Sequence, residues 1–271
     1  METRYTLCDA QYFRRIVIVI FVALFIIVSL TAENQFPLSC NLDTALILFS
    51  ATLDLSASYY NDNYVNPLTL SHIENAKKED IIFFDRFAVD LNSKSLKDVS
   101  DITVYTVILM PIFSSLFTQR KYFVNDIIIY GEALLLQSGL ARWSKYLTKR
   151  SRPFVYNPDI SMDKQQEKNS RCSFFSMHSS TAFCSAVFGS YLYQQRGGTH
   201  STYFWIISLG LASSTSAFRV LSGNHFPSDV IVGALVGSLI GYAVPYLHKK
   251  NNCNGLSFLV SMHSLSCQYK W

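Results

Sequence analysis

The sequence predicts an all-α protein: a transmembrane helical bundle of five core spans, preceded by an N-terminal signal peptide or signal anchor. Two observations lead there. Of 271 residues, 49% are hydrophobic and only 15% are charged, where soluble domains carry roughly a quarter charged residues. Apolar runs of spanning length also recur along most of the chain, which leaves room for one helical bundle and no second soluble domain.

Arg14 and Arg15 precede an apolar run at 16–30, followed by Thr31, Ala32 and Glu33. Residues 1–32 therefore read as a signal peptide or as an uncleaved anchor. Leu30 is bulkier than a cleavage site after Ala32 prefers, so both readings stay open, and both place Glu33 outside. Residues 33–100 form an extracytoplasmic segment. Its apolar run, 44–55, is about a dozen residues long and is expected to pack on the bundle or lie in the interface without spanning. The stretch 59–100 is polar, with charged clusters at 77–80 and 94–101, and is expected to be a loop with short amphipathic helices.

Residues 101–248 hold the helical bundle, with spans expected at 102–117, 122–141, 174–192, 203–218 and 230–247. Threaded alternately, the loops with Arg120 and Lys121, with Arg196, and the tail with Lys249 and Lys250 fall on one side, the cytoplasmic side by the positive-inside rule. The opposite side carries 143–172 and 219–229, whose charges have a chemical explanation given below. Residues 249–271 form a weakly apolar, Ser-rich tail with no legible role.

Net charge is +4 with no continuous basic stripe, which argues against nucleic acid as a partner. The six cysteines form no CxxC pair and show no zinc-like spacing with histidine, so neither a structural metal nor a cofactor is expected. His72, His200, His248 and His263 read as interfacial or structural. Asp126 and Glu132, inside the second core span, are read as structural, Asp126 snorkelling to the cytoplasmic end and Glu132 bonding a neighbouring helix. Lys149 and Arg150 are assigned to lipid head groups.

Three clusters stand at span ends on the face opposite the basic loops. The first runs from Lys145 to Arg152-Pro153, the second is Phe175-Ser176-Met177-His178, and the third is Arg219, His225 and Asp229. Phosphoryl transfer spreads negative charge over equatorial oxygens, so fixed cations such as Lys145, Arg152 and Arg219 lower its barrier. Arg forks match phosphate oxygens in pairs, while Lys acts as a point charge. Ser176 and Met177 open a helix, where unpaired N–H groups face an anion. His225 and Asp229 stand four apart at a helix start marked by Pro227, so the carboxylate can accept the Nδ1 proton and leave Nε2 free to attack phosphorus. His178 is then the general acid for the leaving oxygen and the base for water.

These clusters resemble the three motifs of the type 2 phosphatidic acid phosphatase superfamily, KxxxxxxRP, PSGH and SRxxxxxHxxxD. The first is complete in Lys145, Arg152 and Pro153. The second keeps Ser176 and His178, and the third keeps Arg219, His225 and Asp229. Phe175, Met177 and Phe218 depart from the pattern, and Met177 matters most, because Gly there lets backbone approach phosphate closely. The resemblance covers about 101–248. It implies a helical bundle, a phosphohistidine mechanism without metal, and a lipid phosphate or prenyl pyrophosphate as substrate. The chain looks closest to bacterial envelope enzymes, which implies a multi-pass protein of the bacterial cytoplasmic membrane with its site facing the periplasm or exterior and no obligate protein partner. A head-group phosphotransferase and an inactive anion-binding scaffold are the alternatives; vanadate-dependent halide oxidation is disfavoured by the spans.

Overall fold

The structure, a computed structural model, describes residues 35–250 and the backbone of 257–261 and 264–268. The signal peptide or anchor expected at 1–32 lies outside the described residues. Six long helices build the fold: α1 (Cys40–Tyr64), α2 (Lys94–Thr118), α3 (Phe123–Thr148), α4 (Met177–Gln195), α5 (Ser201–Leu221) and α6 (Pro227–His248). Short helical turns, such as Phe83–Asp90, connect them. Residues 35–250 are thus all-helical, and the tail adds one antiparallel hairpin, β1 (Ser257–Ser261) with β2 (Ser264–Gln268).

α4 is central, with α2, α3, α5 and α6 packed around it. Its buried face is rich in small residues, among them Ser180, Ala182, Ala186 and Ser190, which lets neighbouring helices come close. α6 answers with Gly233, Gly237 and Gly241 at a spacing of four. A Cβ at these positions would lie 2.6, 2.1 and 2.3 Å from the carbonyl oxygens of Ser176, Ser180 and Cys184. The two helices therefore meet backbone to backbone, which sets the start of α6 beside the start of α4. Hydroxyl bonds tie the remaining pairs: Tyr130 to Ser185 (2.7 Å), Ser190 to Ser208 (2.6 Å) and Thr215 to Thr103 (2.9 Å).

Among the described residues, α2, α5 and α6 are by length and composition apolar enough to cross a membrane, three helices where the sequence predicts five spans. α3 and α4 cover the other two expected stretches but are less apolar, for a physical reason. They are enclosed, so buried polar groups such as Asp126, Glu132, Gln137 and Ser185 meet neighbouring helices instead of lipid. The outward surface is apolar: Ile102, Tyr105, Leu109, Phe113 and Phe117 form an exposed stripe on α2, and Leu235, Leu239 and Tyr242 do so on α6. An apolar exterior of this extent belongs in a bilayer, and the protein is membrane-integral.

α1 departs from expectation. It is a helix of 25 residues that runs the height of the bundle, with Asp43 beside His248 at one end and Asn61 at the other. The apolar run ends at Leu55, but the polar second half finds partners on α3. Asp54 accepts from Ser138 (3.1 Å) and pairs with Arg142 (3.2 Å), Arg142 also donates to Ser58 (3.0 Å), and the Trp143 indole donates to the Leu53 carbonyl (3.1 Å). Phe36, just before α1, packs on Tyr191 and under Arg196. The described part of the segment 33–100 therefore begins, at Phe36, beside Arg196, at the end of the bundle opposite Asn61. Asp126 does not snorkel; it is buried against Arg196 (2.5 Å) and Ser115 (2.6 Å).

Candidate active site

At one end of the bundle, the end of α3, the start of α4, the end of α5 and the start of α6 surround a cavity of about 690 Å³. Lys145, Arg152, Met177, His178, Arg219 and His225 line it, so the three clusters, drawn from 145 to 229, meet in one space. Each is held by local structure. Lys145, in the last turn of α3, donates to the carbonyls of Cys172 (2.9 Å) and Ser173 (3.4 Å). Arg152 donates through Nε to the Asn169 carbonyl (3.0 Å) and through Nη1 to the Asn224 carbonyl (3.1 Å), and that same Nη1 stands 3.5 Å from Nε2 of His225. Arg219, in the last turn of α5, donates to Ser100 and to Asp101, both at 3.1 Å.

His225 is 1% exposed. Burial pushes its pKa well below 6.5, and Arg152, Lys145, Arg219 and His178 push it the same way, so the ring is neutral and keeps a nitrogen lone pair at neutral pH. Asp229 stands 3.5 Å from its Nδ1. That separation is longer than a good hydrogen bond, and the carboxylate is already engaged. Asp229 Oδ2 accepts from the Ser173 hydroxyl (2.5 Å) and the Phe226 amide (3.0 Å), the latter capping α6, and Oδ1 accepts from Arg150 (2.6 Å). The sequence expectation of a simple His225–Asp229 hydrogen bond is thus replaced by a carboxylate shared among three other donors.

Arg150 is no head-group ligand. Its guanidinium bridges Asp229 to the buried Asp85 (2.7 Å) and lies 4.3 Å over the Phe226 ring. Asp85 in turn accepts from the amide (3.0 Å) and hydroxyl (2.5 Å) of Ser228. Ser176 is also placed differently from expectation. It is fully buried and caps α4, accepting from the Ser179 amide (3.4 Å) and hydroxyl (3.1 Å), and it does not line the cavity, whereas Met177 does.

A family model described as "PAP2 superfamily" matches residues 126–253, which contain all three clusters. The match thus links residues 126–253, and the three clusters within them, to that superfamily by similarity. A curated relative, the lipid A 1-phosphatase of Porphyromonas gingivalis, is 28% identical over 121 residues, 45% of this chain and 22% of that protein. The chain therefore spans about a fifth of the length of that relative. Two solved structures are similar: a transmembrane PAP2 type phosphatidylglycerolphosphate phosphatase from Bacillus subtilis (21% identity, 76% of this chain and 94% of that one, TM-score 0.44) and LpxE from Aquifex aeolicus (23%, 62% and 98%, TM-score 0.44).

Some residues of the cavity are not singled out by sequence. Asp101 bonds both Arg219 (3.1 Å) and Nε2 of His178 (2.9 Å), and Lys97 lies one turn before it on the same wall. Both precede the matched span. Residues 94–101 belong to the stretch expected to be a loop with short amphipathic helices; they are instead the first two turns of the long α2, capped by Ser93, which accepts from the Leu96 amide (3.3 Å). A capping serine before a run of spacing 102, 105, 109 and 113 is the available signal.

Proposed function

We propose that the protein hydrolyses a lipid monophosphate or lipid pyrophosphate through a phosphohistidine at His225. The observation that carries this reading is the convergence of Lys145, Arg152 and Arg219 with His178 and His225 on one cavity. In the first step the His225 Nε2 lone pair attacks phosphorus while the bond from phosphorus to the lipid oxygen breaks, and His178 donates the proton that oxygen needs. In the second, His178 takes a proton from water, the water oxygen attacks phosphorus, and the P–N bond returns its electron pair to Nε2. The cations neutralise charge on the equatorial oxygens throughout. Asp101 orients His178, and Arg150 holds Asp229 against the α6 start, so both act as positioning residues. Met177 supplies its backbone and narrows the wall where PAP2 proteins of the usual pattern carry Gly.

A cavity of about 690 Å³ is far larger than a phosphate ion, and the apolar exterior brings membrane lipid to its level, which supports a lipid substrate. The similarity to a lipid A 1-phosphatase supports the same class. The exposed Lys121 and Lys250 at the end opposite the cavity favour a cytoplasmic position for that end and an outward-facing site in a bacterial cytoplasmic membrane. The test is phosphate release in detergent from phosphatidic acid, phosphatidylglycerol phosphate, undecaprenyl pyrophosphate and lipid A, with an acceptor alcohol added in a parallel series. Release from at least one lipid, lost in His225→Ala, is expected. Release retained in that variant, or none from any lipid, overturns the proposal, and a new phosphoester in place of free phosphate makes the protein a phosphotransferase.

A further inference from the structure

A second cluster of ionisable groups lies at the bundle end opposite the cavity, and the proposed chemistry makes no use of it. His248, the last residue of α6, meets Asp43 in the first turn of α1 and Glu132 on α3, and all three are buried. Nε2 of His248 is 2.7 Å from Asp43 Oδ1 and 3.3 Å from Glu132 Oε2. One donor atom from each residue falls within 4.8 Å of the other two. Among the described residues, Asp43 Oδ2 and both Glu132 oxygens have no hydrogen-bond partner, which in a buried site is costly unless something else satisfies them.

The imidazole is oriented for a ligand's role. Its Nδ1 lies 2.8 Å from the Val244 carbonyl, an oxygen that can only accept, so Nδ1 carries a proton and donates. That bond fixes the tautomer and turns the Nε2 lone pair toward the two carboxylates, the arrangement found behind metal-bound histidines. A lone pair and two anions cannot face one another without a cation between them. With both carboxylates ionised, a single proton on Nε2 leaves one net negative charge buried, whereas a divalent ion neutralises both. Ligand atoms at ~2.0–2.1 Å from a tetrahedral zinc lie roughly 3.3 Å apart; the His248–Glu132 separation already has that value, and the 2.7 Å between His248 and Asp43 has to open by about half an ångström to admit the ion.

We propose that Asp43, Glu132 and His248 hold a divalent first-row metal ion that fastens α1 to α3 and α6. One imidazole nitrogen and carboxylate oxygens are donors suited to zinc or manganese. Asp43 precedes the matched span, so the ion joins the additional helix to that span. The role is structural and independent of whether the cavity hydrolyses lipid phosphate.

The experiment loads the purified full-length protein with zinc in detergent, dialyses it, and measures bound metal by elemental analysis and unfolding temperature with and without chelator. About one equivalent of retained zinc is expected, with an unfolding temperature that falls on chelation. In Glu132→Gln and Asp43→Asn the retained zinc and the chelator effect should both disappear. X-ray absorption of the wild type should report nitrogen and oxygen ligands, a readout that stands even if the variants fail to fold. No retained zinc together with a chelator-insensitive unfolding temperature overturns the proposal and leaves a proton as the cation. Zinc retained equally by the variants, or sulfur ligands in the spectrum, overturns it by placing the ion elsewhere.

Discussion

His225 sits among cations and is almost wholly buried, and its properties follow from that. The unfolded chain takes up a proton on this ring near the ordinary value of 6.5, while the folded ring stays neutral to well below it. Protons therefore bind the unfolded state more tightly, and stability contributed at this position falls as pH drops below about 6.5, by at most ~1.4 kcal/mol per pH unit. Thermal unfolding in detergent from pH 7 to 5 should show that loss, and His225→Gln should lessen it. The same neutral ring is the proposed nucleophile, so His225→Ala is expected to lower phosphate release by at least about 10³-fold. Arg150 makes a different prediction. Removing it leaves Asp85 and Asp229 buried and uncompensated, so Arg150→Ala should cost about 3–5 kcal/mol of stability, and Arg150→Lys should restore only part, since one ammonium cannot replace the two-pronged fork. Residues 145, 152, 178, 219 and 225 are legible as a set because motif spacing and helix-end position are local features. Arg150, Asp85 and Asp101 are not, because their partners stand 65 to 143 positions away and no local pattern marks such pairs.

At the scale of elements, the contact between α4 and α6 sets the distance between His178 and His225. Gly237→Ala would bring a Cβ to 2.1 Å from the Ser180 carbonyl, and backbone cannot yield as a flexible side chain would. The helices must separate, at a cost of about 1–3 kcal/mol, and phosphate release should fall along with stability. Gly210 on α5 is the control. Nothing lies within 4 Å of the place a methyl group would take there, so Gly210→Ala should stabilise by up to ~1 kcal/mol through helix propensity alone and leave activity unchanged. The helices themselves are legible from apolar runs where those runs face outward, as on α2 and α6. The sequence predicts too short an α1 because the second half of that helix is polar, and only the presence of Arg142, Trp143 and Ser138 on α3 explains why a helix continues there.

For the whole molecule, the proposed orientation, with the cavity end outside and the end carrying Lys121 and Lys250 in the cytoplasm, is open to a direct test. In a cysteine-free background, Lys149→Cys, on the exposed turn after α3 at the cavity end, should react with a membrane-impermeant maleimide on intact bacterial cells, while Lys121→Cys should not. The reversed pattern would place the cavity in the cytoplasm. Overall class and the address of the site are readable from composition and motif spacing, whereas the closing of α1 onto the bundle and the cluster around His248 depend on packing between distant segments. The central claim is that His225 becomes phosphorylated. Rapid quench of the enzyme with a phospholipid substrate, followed by peptide mass spectrometry under alkaline conditions that preserve phosphohistidine, should find the phosphoryl group on His225 and none in His225→Ala; a phosphoryl group on another residue, or turnover that persists in that variant, would contradict the account.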